Sequence, residues 1–217
     1  MVMRVTKYYR ALRERRRLRD VDAPLESAIQ DFNLEAAFAE RYLAGEVELT
    51  DFQYYQSYVR TIESESQLMG KPSQILFVGS GPVPLSAILF ARKFPQARID
   101  VLDVDQMALI TGAAVASKAG VFFGRQIAVD AAKFPGYGRY DTVVLSMEAG
   151  PTDETKRAVL HNLFWRIGSD TLVLLRGSRT PQFVQTRLLL PEDVMVTGEV
   201  STFDGQGETL AIRKVTG

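Results

Sequence analysis

The sequence contains no cysteine and a single histidine, His161, among its 217 residues. Without cysteine, the chain can form no disulfide bond and offers neither a thiolate nucleophile nor a thiolate metal ligand. One imidazole cannot build a histidine cluster around a metal ion. We therefore expect no metal site within one chain.

Long apolar runs are also missing. No window approaches the roughly 18 consecutive apolar residues that a membrane-spanning helix needs. The amino-terminal segment "MVMRVTKYYRALRERRR" lacks the apolar stretch of a signal peptide. The sequence therefore predicts a soluble, cytoplasmic protein without a membrane partner.

The chain has no net charge, but its charge is unevenly distributed. Residues 1–20 carry eight Lys or Arg and two Asp or Glu, against a formal net charge of zero for the whole sequence. Such a basic block is typical of nucleic-acid binding, but neither an aromatic-studded sheet motif nor a recognition-helix pattern accompanies it. We interpret the block as an amphipathic helix with a solvated basic face and expect no nucleic-acid partner. Homodimer formation stays open.

The hydrophobic pattern divides the chain near residue 70. Residues 1–70 show helical spacing of apolar and charged residues, with Asp22 and Thr50 as candidate caps. In residues 71–217, β-rich runs alternate with helical stretches. This alternation predicts an α/β fold of the class I type found in S-adenosylmethionine (SAM) dependent transferases. That fold is a Rossmann-like, mostly parallel sheet with an antiparallel C-terminal hairpin, here plus a small N-terminal helical cap. The predicted strands are 74–78, 98–104, 125–129, 140–147, 170–176, 194–203 and 209–215.

The segment "VGSGPVP" lies between the first predicted strand and the helix that follows it. Gly79 and Gly81 allow positive φ and let a ligand approach the backbone closely. A proline in the first helical turn costs little, because its missing N–H would be unpaired there anyway. A glycine pair after a strand is weak evidence alone, and a plain tight turn would also explain it.

Two aspartates strengthen the interpretation as a ligand site. Asp103 closes the second predicted strand 22 residues after Gly81, close to the roughly 20-residue offset of a carboxylate that binds ribose hydroxyls. Asp130 ends the third predicted strand, where the adenine edge usually lies in this architecture. Because ligands of open α/β sheets bind at the carboxyl ends of the strands, these features predict an adenosyl pocket. The predicted cofactor-binding residues of the sheet domain are Gly79, Ser80, Gly81, Pro82, Asp103 and Asp130.

Two longer motifs carry a resemblance to a known family. The stretch "FQYYQSYVRTIESE", followed shortly by "FVGSGPVPLSAILFA", resembles the nicotianamine synthase family, in which a tyrosine-rich FxYYxxY segment precedes FVGSGPLPLT. The related bacterial opine-metallophore enzymes are similar. The stretch "LEAAFAERY" resembles the family's glutamate-bearing helix, and "KRAVLHNLFWRI" resembles the segment after the fourth strand. Together these motifs cover most of residues 34–178.

The resemblance implies an activity. Family members transfer the 3-amino-3-carboxypropyl (aminobutanoyl) group of SAM to an amine and release methylthioadenosine, with SAM as co-substrate and no metal required. The resemblance implies that Glu35 is the catalytic base for the amine of a small amino-acid acceptor and that the hydroxyl of Tyr58, beside it, orients this amine or relays its proton. Tyr54 and Tyr55 would form the wall of the SAM site. The product would be nicotianamine-like or opine-metallophore-like.

One departure from the family puts the base in question. Plant members carry a second glutamate four residues after the first, whereas this chain has Ala39 there and Glu40 one residue later.

Each candidate catalytic or SAM-binding residue of the helical segment also has a simpler explanation. Glu35 would then be a solvated helix residue, and one of the two adjacent tyrosines would pack in the core.

The sheet side supplies three predicted substrate-binding residues. Glu148 follows the fourth predicted strand, where class I transferases often place a substrate contact. Arg176 and Arg179 follow the fifth and would bind a carboxylate in bidentate fashion. A solvated surface position explains each of the three equally well. His161 lies in a predicted helix and is expected to be packed or exposed there.

Three other functions stay open. A cyclase would let the amine of SAM attack its own γ-carbon and form azetidine-2-carboxylate. An ordinary methyltransferase would transfer the CH₃ group of SAM. A SAM-binding sensor would retain the loop without chemistry, although it would need no base beside the sulfonium.

Overall fold

The computed structural model describes residues 23–146, 149, 152–177, 191–201 and 208–215. Its α-helices are Ala23–Ala44 (α1), Tyr55–Leu68 (α2), Leu85–Lys93 (α3), Gln106–Lys118 (α4) and Asp153–Arg166 (α5). Short 3-10 helices span Leu49–Asp51, Ala131–Lys133 and Tyr137–Arg139. The strands are Gln74–Val78 (β1), Arg98–Asp103 (β2), Gln126–Ala128 (β3), Thr142–Ser146 (β4), Leu172–Gly177 (β5), Val194–Ser201 (β6) and Glu208–Lys214 (β7).

These strands form one sheet in the order β3-β2-β1-β4-β5-β7-β6. Strands β1 to β5 run parallel, whereas β7 pairs antiparallel with both β5 and β6. The predicted fold class is confirmed. The strand order reverses at β1, because β2 lies on one side of it and β4 on the other. The carboxyl ends of β1 and β4 therefore border the crevice in which sheets of this type bind ligands.

The sheet is covered on both faces, as its nearly continuous apolar strands require. On one face, Leu76 of β1 packs in a cluster with Leu163 of α5. On the other face, Phe77 of β1 packs with Phe90 of α3 and Ile62 of α2. Alternate residues of β1 thus serve opposite cores, which fixes the strand's orientation.

Helix α1 packs outside α3 and α4. Ala39 and Tyr42 of α1 share a hydrophobic cluster with Ile88 of α3 and Val115 of α4. The predicted boundary near residue 70 falls in the segment between α2 and β1. Because α1 and α2 share clusters with the sheet helices, the division into residues 1–70 and 71–217 stays a prediction.

The start of α2 differs from the sequence interpretation. Thr50 is not its cap, because residues Leu49–Asp51 form a separate 3-10 helix and α2 begins at Tyr55. The backbone of Phe52 is extended, with φ −64° and ψ 125°, and its ring is buried against Phe38 at 4.9 Å between centroids. Burial of this ring breaks the helical pattern. Asp22, the other candidate cap, lies outside the described residues.

Candidate active site

The glycine loop is pinned to the end of β2. Gly79 N and Ser80 N donate to Leu102 O at 2.8 Å and 3.4 Å, and Gly81 N donates to Asp103 Oδ2 at 3.0 Å. Gly79 has φ 76° and Gly81 has φ 63°, a backbone region that glycine enters without the cost of a Cβ. Pro82 is buried where the loop turns into α3. The loop predicted after β1 is therefore present, and both of its glycines adopt the positive φ that only glycine adopts freely.

Asp103 is the last residue of β2, as predicted, and faces the loop. Its Oδ1 accepts from Asp105 N and its Oδ2 from Gly81 N, each at 3.0 Å. Burial raises the pKa of Asp103 above its usual range, and the hydrogen bonds from backbone N–H groups offset only part of this effect. Each carboxylate oxygen has a second lone pair, so Asp103 retains capacity to accept ligand hydroxyls.

Glu35 reaches the same loop from α1. A Cβ added to Gly81 would lie 2.5 Å from Glu35 Oε2, so the carboxylate occupies the space that a side chain would fill. Ala39 is fully buried one turn later, and Glu40 is exposed. Neither position brings a second carboxylate to the loop. Glu35 is thus the carboxylate of α1 that is seen next to the glycine loop.

The three predicted tyrosines surround the start of α2. Tyr54 is 44% exposed and meets the buried ring of Phe52 edge-on, with centroids 5.7 Å apart. Tyr55 and Tyr58 are half-buried against the cluster beneath α1. Tyr58 N donates to Tyr54 O at 2.9 Å, so these two residues lie one helical turn apart. Of the adjacent pair, Tyr55 is the one that packs.

Arg176 lies within β5 rather than after it, because antiparallel pairing with β7 extends the strand through Gly177. Its guanidinium binds Glu65 of α2, with Nε donating to Oε1 at 2.7 Å and Nη2 donating to Oε2. Arg176 Nη1 donates to Ser86 Oγ at 2.6 Å. Substrate binding by Arg176 stays a prediction, and it would need N–H groups other than these three.

The ion pair between Arg176 and Glu65 is deeply buried. The side chain of Glu65 is 0% exposed and that of Arg176 is 15% exposed. Thr209 Oγ1 of β7 also donates to Glu65 Oε1, at 2.7 Å. Burial lowers the pKa of Arg176, but attraction to Glu65 and the hydrogen bonds between them outweigh burial and raise it, with a further contribution from Tyr58. The guanidinium therefore stays charged.

Two other residues singled out in the sequence, Asp130 and His161, take no part in the contacts described above. Asp130 does not end the third strand, because β3 stops at Ala128. Instead it caps the next 3-10 helix, with Oδ1 accepting from Ala132 N at 2.9 Å. Its adenine-side role stays a prediction. His161 is exposed on α5. Glu148 and Arg179 lie outside the described residues.

Sequence reasoning missed several residues that shape the site. Glu65 was overlooked in the acidic run "IESES", although its position seven residues after Tyr58 places it on the same face of α2. Gly112 of α4 was also overlooked: a Cβ there would lie 3.0 Å from Gly81 O. A glycine in the middle of an otherwise good helix was the available signal for this close approach.

Two features are absent from the described part of the chain. None of its helices is long and apolar enough to cross a membrane. The same residues contain no group of three or more His, Asp or Glu side chains arranged to hold a metal ion.

The geometry brings together the glycine loop, Asp103 at the end of β2 and Glu35 of α1 at the carboxyl ends of the strands, where open α/β sheets bind their ligands. A MtNAS variant in complex with S-adenosylmethionine has a similar fold, with a TM-score of 0.71 at 17% identity over 88% of this chain and 76% of that chain. The ribosomal protein L11 methylase from Lactobacillus delbrueckii subsp. bulgaricus gives a TM-score of 0.57 at 19% identity over 76% and 80% of the respective chains. The fold is that of class I SAM-dependent transferases.

Sequence comparison defines the family. The model of the nicotianamine synthase protein family matches residues 17–210. Nicotianamine synthase 1 from Hordeum vulgare is 28% identical over 195 residues, which are 83% of this chain and 59% of that protein. The chain belongs to the nicotianamine synthase family. It spans less than two thirds of the length of the curated relatives that it matches.

Proposed function

We propose that the protein transfers the 3-amino-3-carboxypropyl group of SAM to the amine of a small amino acid and releases methylthioadenosine. The observation that carries the proposal is the position of Glu35, whose carboxylate lies against Gly81 in the loop after β1. Family membership and the presence of SAM in the MtNAS complex support the same donor.

The residues around Asp103 suit the adenosine part of SAM. The Asp103 carboxylate would accept the ribose hydroxyls at the carboxyl end of β2. Directly beside it, Val104 is 39% exposed and Met107 is 48% exposed, so both offer apolar surface to the adenine ring. A base with polar edges and an apolar face suits such a mixed environment.

The proposed step is one displacement. The amine nitrogen of the acceptor forms a bond to the γ-carbon of SAM as the bond from that carbon to sulfur breaks, and the electron pair stays on sulfur. Glu35 accepts the proton that the amine loses. The exposed face of Tyr54 would stabilise the sulfonium before it is neutralised, by about 0.5–2 kcal/mol.

Geometry decides which carbon reacts. The sulfonium carries several electrophilic carbons, and the attacked carbon is the one held in line with the nucleophile at near-attack distance. With Glu35 on the cap side of the loop, the deprotonated amine is generated next to the loop. We further propose that the acceptor is a free amino acid, that the product is a nicotianamine-like or opine-metallophore-like chelator, and that the enzyme acts in the cytoplasm.

The products formed from SAM test this function. Incubation with SAM and candidate amino acids is expected to give methylthioadenosine together with an acceptor that gains the aminocarboxypropyl group, both identified by mass spectrometry. Formation of S-adenosylhomocysteine, or label from the SAM methyl group in the acceptor, would identify a methyltransferase and overturn the proposal. Methylthioadenosine produced at full rate without acceptor, together with azetidine-2-carboxylate, would identify the cyclase instead.

Glu35 has a matched control on its own helix. Replacement of Glu35 by Gln should lower kcat roughly 10²–10⁴-fold, the typical contribution of a general base, with little change in SAM affinity. Replacement of the exposed Glu40 by Gln should leave both quantities at the wild-type value. Equal turnover of the two variants would remove Glu35 from the mechanism.

A further inference from the structure

The ion pair between Glu65 and Arg176 is a poor way to stabilise a core. Both charges lose most of their water, and replacing such a pair with apolar residues is often neutral or stabilising. What apolar residues lack is direction, because the planar guanidinium binds a carboxylate in one bidentate orientation. The pair is therefore better explained by the geometry that it imposes than by the stability that it adds.

The pair connects elements on both sides of the site. Glu65 belongs to α2 and Arg176 to the carboxyl end of β5. Ser86, the second residue of α3, binds Arg176, and Thr209 of β7 binds Glu65. One guanidinium and one carboxylate thus fix the tyrosine helix α2 to the sheet and to the helix that follows the glycine loop.

Distances along the chain relate this network to the reacting groups. Tyr58 precedes Glu65 by two helical turns on the same face of α2, roughly 10 Å along the helix axis. Tyr58 is also close enough to contribute to the raised pKa of Arg176. Ser86 lies five residues after Gly81. The network is therefore connected to Tyr58 through α2 and to the glycine loop through the start of α3.

We propose that Arg176 and Glu65 are positioning residues that hold Tyr58 and the glycine loop at one fixed separation. The catalytic consequence rests on the proposed function. With the separation fixed, the γ-carbon of SAM is aligned with the acceptor amine. Without it, SAM still binds, but its amino-acid tail is misaligned.

When the amino-acid tail of SAM is misaligned, SAM can react within itself. The carboxylate of SAM attacks its γ-carbon, a carbon–oxygen bond forms as the carbon–sulfur bond breaks, and the electron pair stays on sulfur. The products are homoserine lactone and methylthioadenosine, and no further reactant is needed. Loss of positioning therefore shows as methylthioadenosine that is not matched by acceptor product.

Three variants separate positioning from folding. Arg176→Lys keeps the charge but loses the bidentate fork, and Glu65→Gln keeps the size but loses the charge. If either single variant fails to fold, the double variant Glu65→Gln/Arg176→Gln removes both buried charges together and replaces the singles. The matched control is Asp100→Asn, which breaks another ion pair, between the buried Asp100 and the partly exposed Arg125, at the amino ends of the strands.

The first measurement is hydrogen exchange of the full ligand-free chain. Loss of the pair should speed exchange in residues 55–68 and 79–90, whereas Asp100→Asn should show no selective change there. If the control loosens these two segments equally, or if the pair variants leave them unchanged, the positioning proposal is wrong. This result does not depend on any activity, so a wild-type chain that released no methylthioadenosine would overturn the proposed function alone.

The second measurement is the ratio of acceptor product to methylthioadenosine. The pair variants should show a lower ratio and a kcat reduced roughly 10²-fold, the effect of a misplacement of about 1 Å, with the KM for SAM little changed. A merely structural pair would reduce the amount of active enzyme and leave the ratio at the wild-type value, as expected for Asp100→Asn. An unchanged ratio would overturn the catalytic part of the proposal.

Discussion

At the scale of single residues, Gly81 is where the loop, the strand β2 and the cap meet. Its backbone has φ 63°, its N–H binds Asp103, and its missing side chain leaves room for Glu35. Glycine is required here for two separate reasons, a positive φ and a close contact. The two reasons predict different consequences when a methyl group is added.

Replacement of Gly81 by Ala tests both reasons. The positive φ should lower the free energy of unfolding by about 1–2 kcal/mol, and displacement of Glu35 by about 1 Å should lower turnover roughly 10²-fold. Gly120→Ala is the matched control, because Gly120 has φ 76° with open space around it. Urea unfolding should show similar losses for the two variants, and assays should show a loss of turnover for Gly81→Ala alone. Equal turnover would contradict the contact.

The site residues differ in how far the sequence predicts them. Gly81 and Asp103 were predictable, because a strand end and a fixed offset place them at one sheet edge. Arg176 and Glu65 are separated by 111 positions and contact each other only after α2 has packed across β5. No local pattern encodes that contact. Glu35 is an intermediate case. The resemblance to the family predicts its role, but its contact with Gly81 is seen only in the folded structure.

At the scale of elements, helix α4 supports the loop from behind. Gly112 lies in the middle of α4, and a Cβ there would come within 3.0 Å of Gly81 O and 3.2 Å of Pro84 Cδ. The helix can approach the loop this closely only because Gly112 has no side chain. The loop is thus held between α4 and the end of β2.

Replacement of Gly112 by Ala should therefore separate stability from binding. Alanine is favoured over glycine in a helix interior by about 0.5–1 kcal/mol, which offsets the strain of the new contact, so the Tm should change little. The loop carbonyl must shift, so SAM affinity should fall several-fold by calorimetry. Gly168→Ala, with nothing near its Cβ, should keep full affinity. Unchanged affinity of Gly112→Ala would show that the loop adapts freely.

The sequence predicts the helices and strands well wherever an apolar run has the spacing of the element that it forms. Strand β1 has the predicted bounds, and β2 to β5 end within two residues of theirs, because each is an apolar run between turns. The predicted start of α2 at Thr50 is wrong, because Phe52 is buried against Phe38 of another helix and its extended backbone interrupts the helical spacing. Tertiary packing decided that boundary, and local helical spacing could not reveal it.

At the scale of the whole molecule, the sheet carries buried carboxylates of opposite character on one strand. Asp100 of β2 accepts from Arg125 Nε at 2.7 Å, from Tyr140 Oη at 2.9 Å and from Arg98 Nε at 3.1 Å. Burial alone would raise the pKa of Asp100, but these hydrogen bonds outweigh it and lower the pKa below its ordinary value of 3.8. Asp103, three residues later at the ligand edge, has a raised pKa because burial dominates.

These opposite shifts predict opposite pH dependences of stability. The stabilisation from Asp100 is present above pH 3.8 and is lost as the pH falls through its lowered pKa. The contribution of Asp103 has the other sign, since its raised pKa favours the folded state at low pH and that benefit is lost as the pH rises. The strand thus combines a structural carboxylate with one whose ionisation at neutral pH works against folding.

Urea unfolding of Asp100→Asn and Asp103→Asn between about pH 3 and pH 7 tests this opposition. The free energy of unfolding of the wild type minus that of Asp100→Asn should grow as the pH rises, reaching about 1.5–3 kcal/mol for a buried hydrogen-bonded charge. The same difference for Asp103→Asn should shrink over that range. Because only the slopes are compared, constant effects of each amide cancel. Parallel slopes would show that the two carboxylates share one environment, and the distinction between a structural edge and a ligand edge of the sheet would fail.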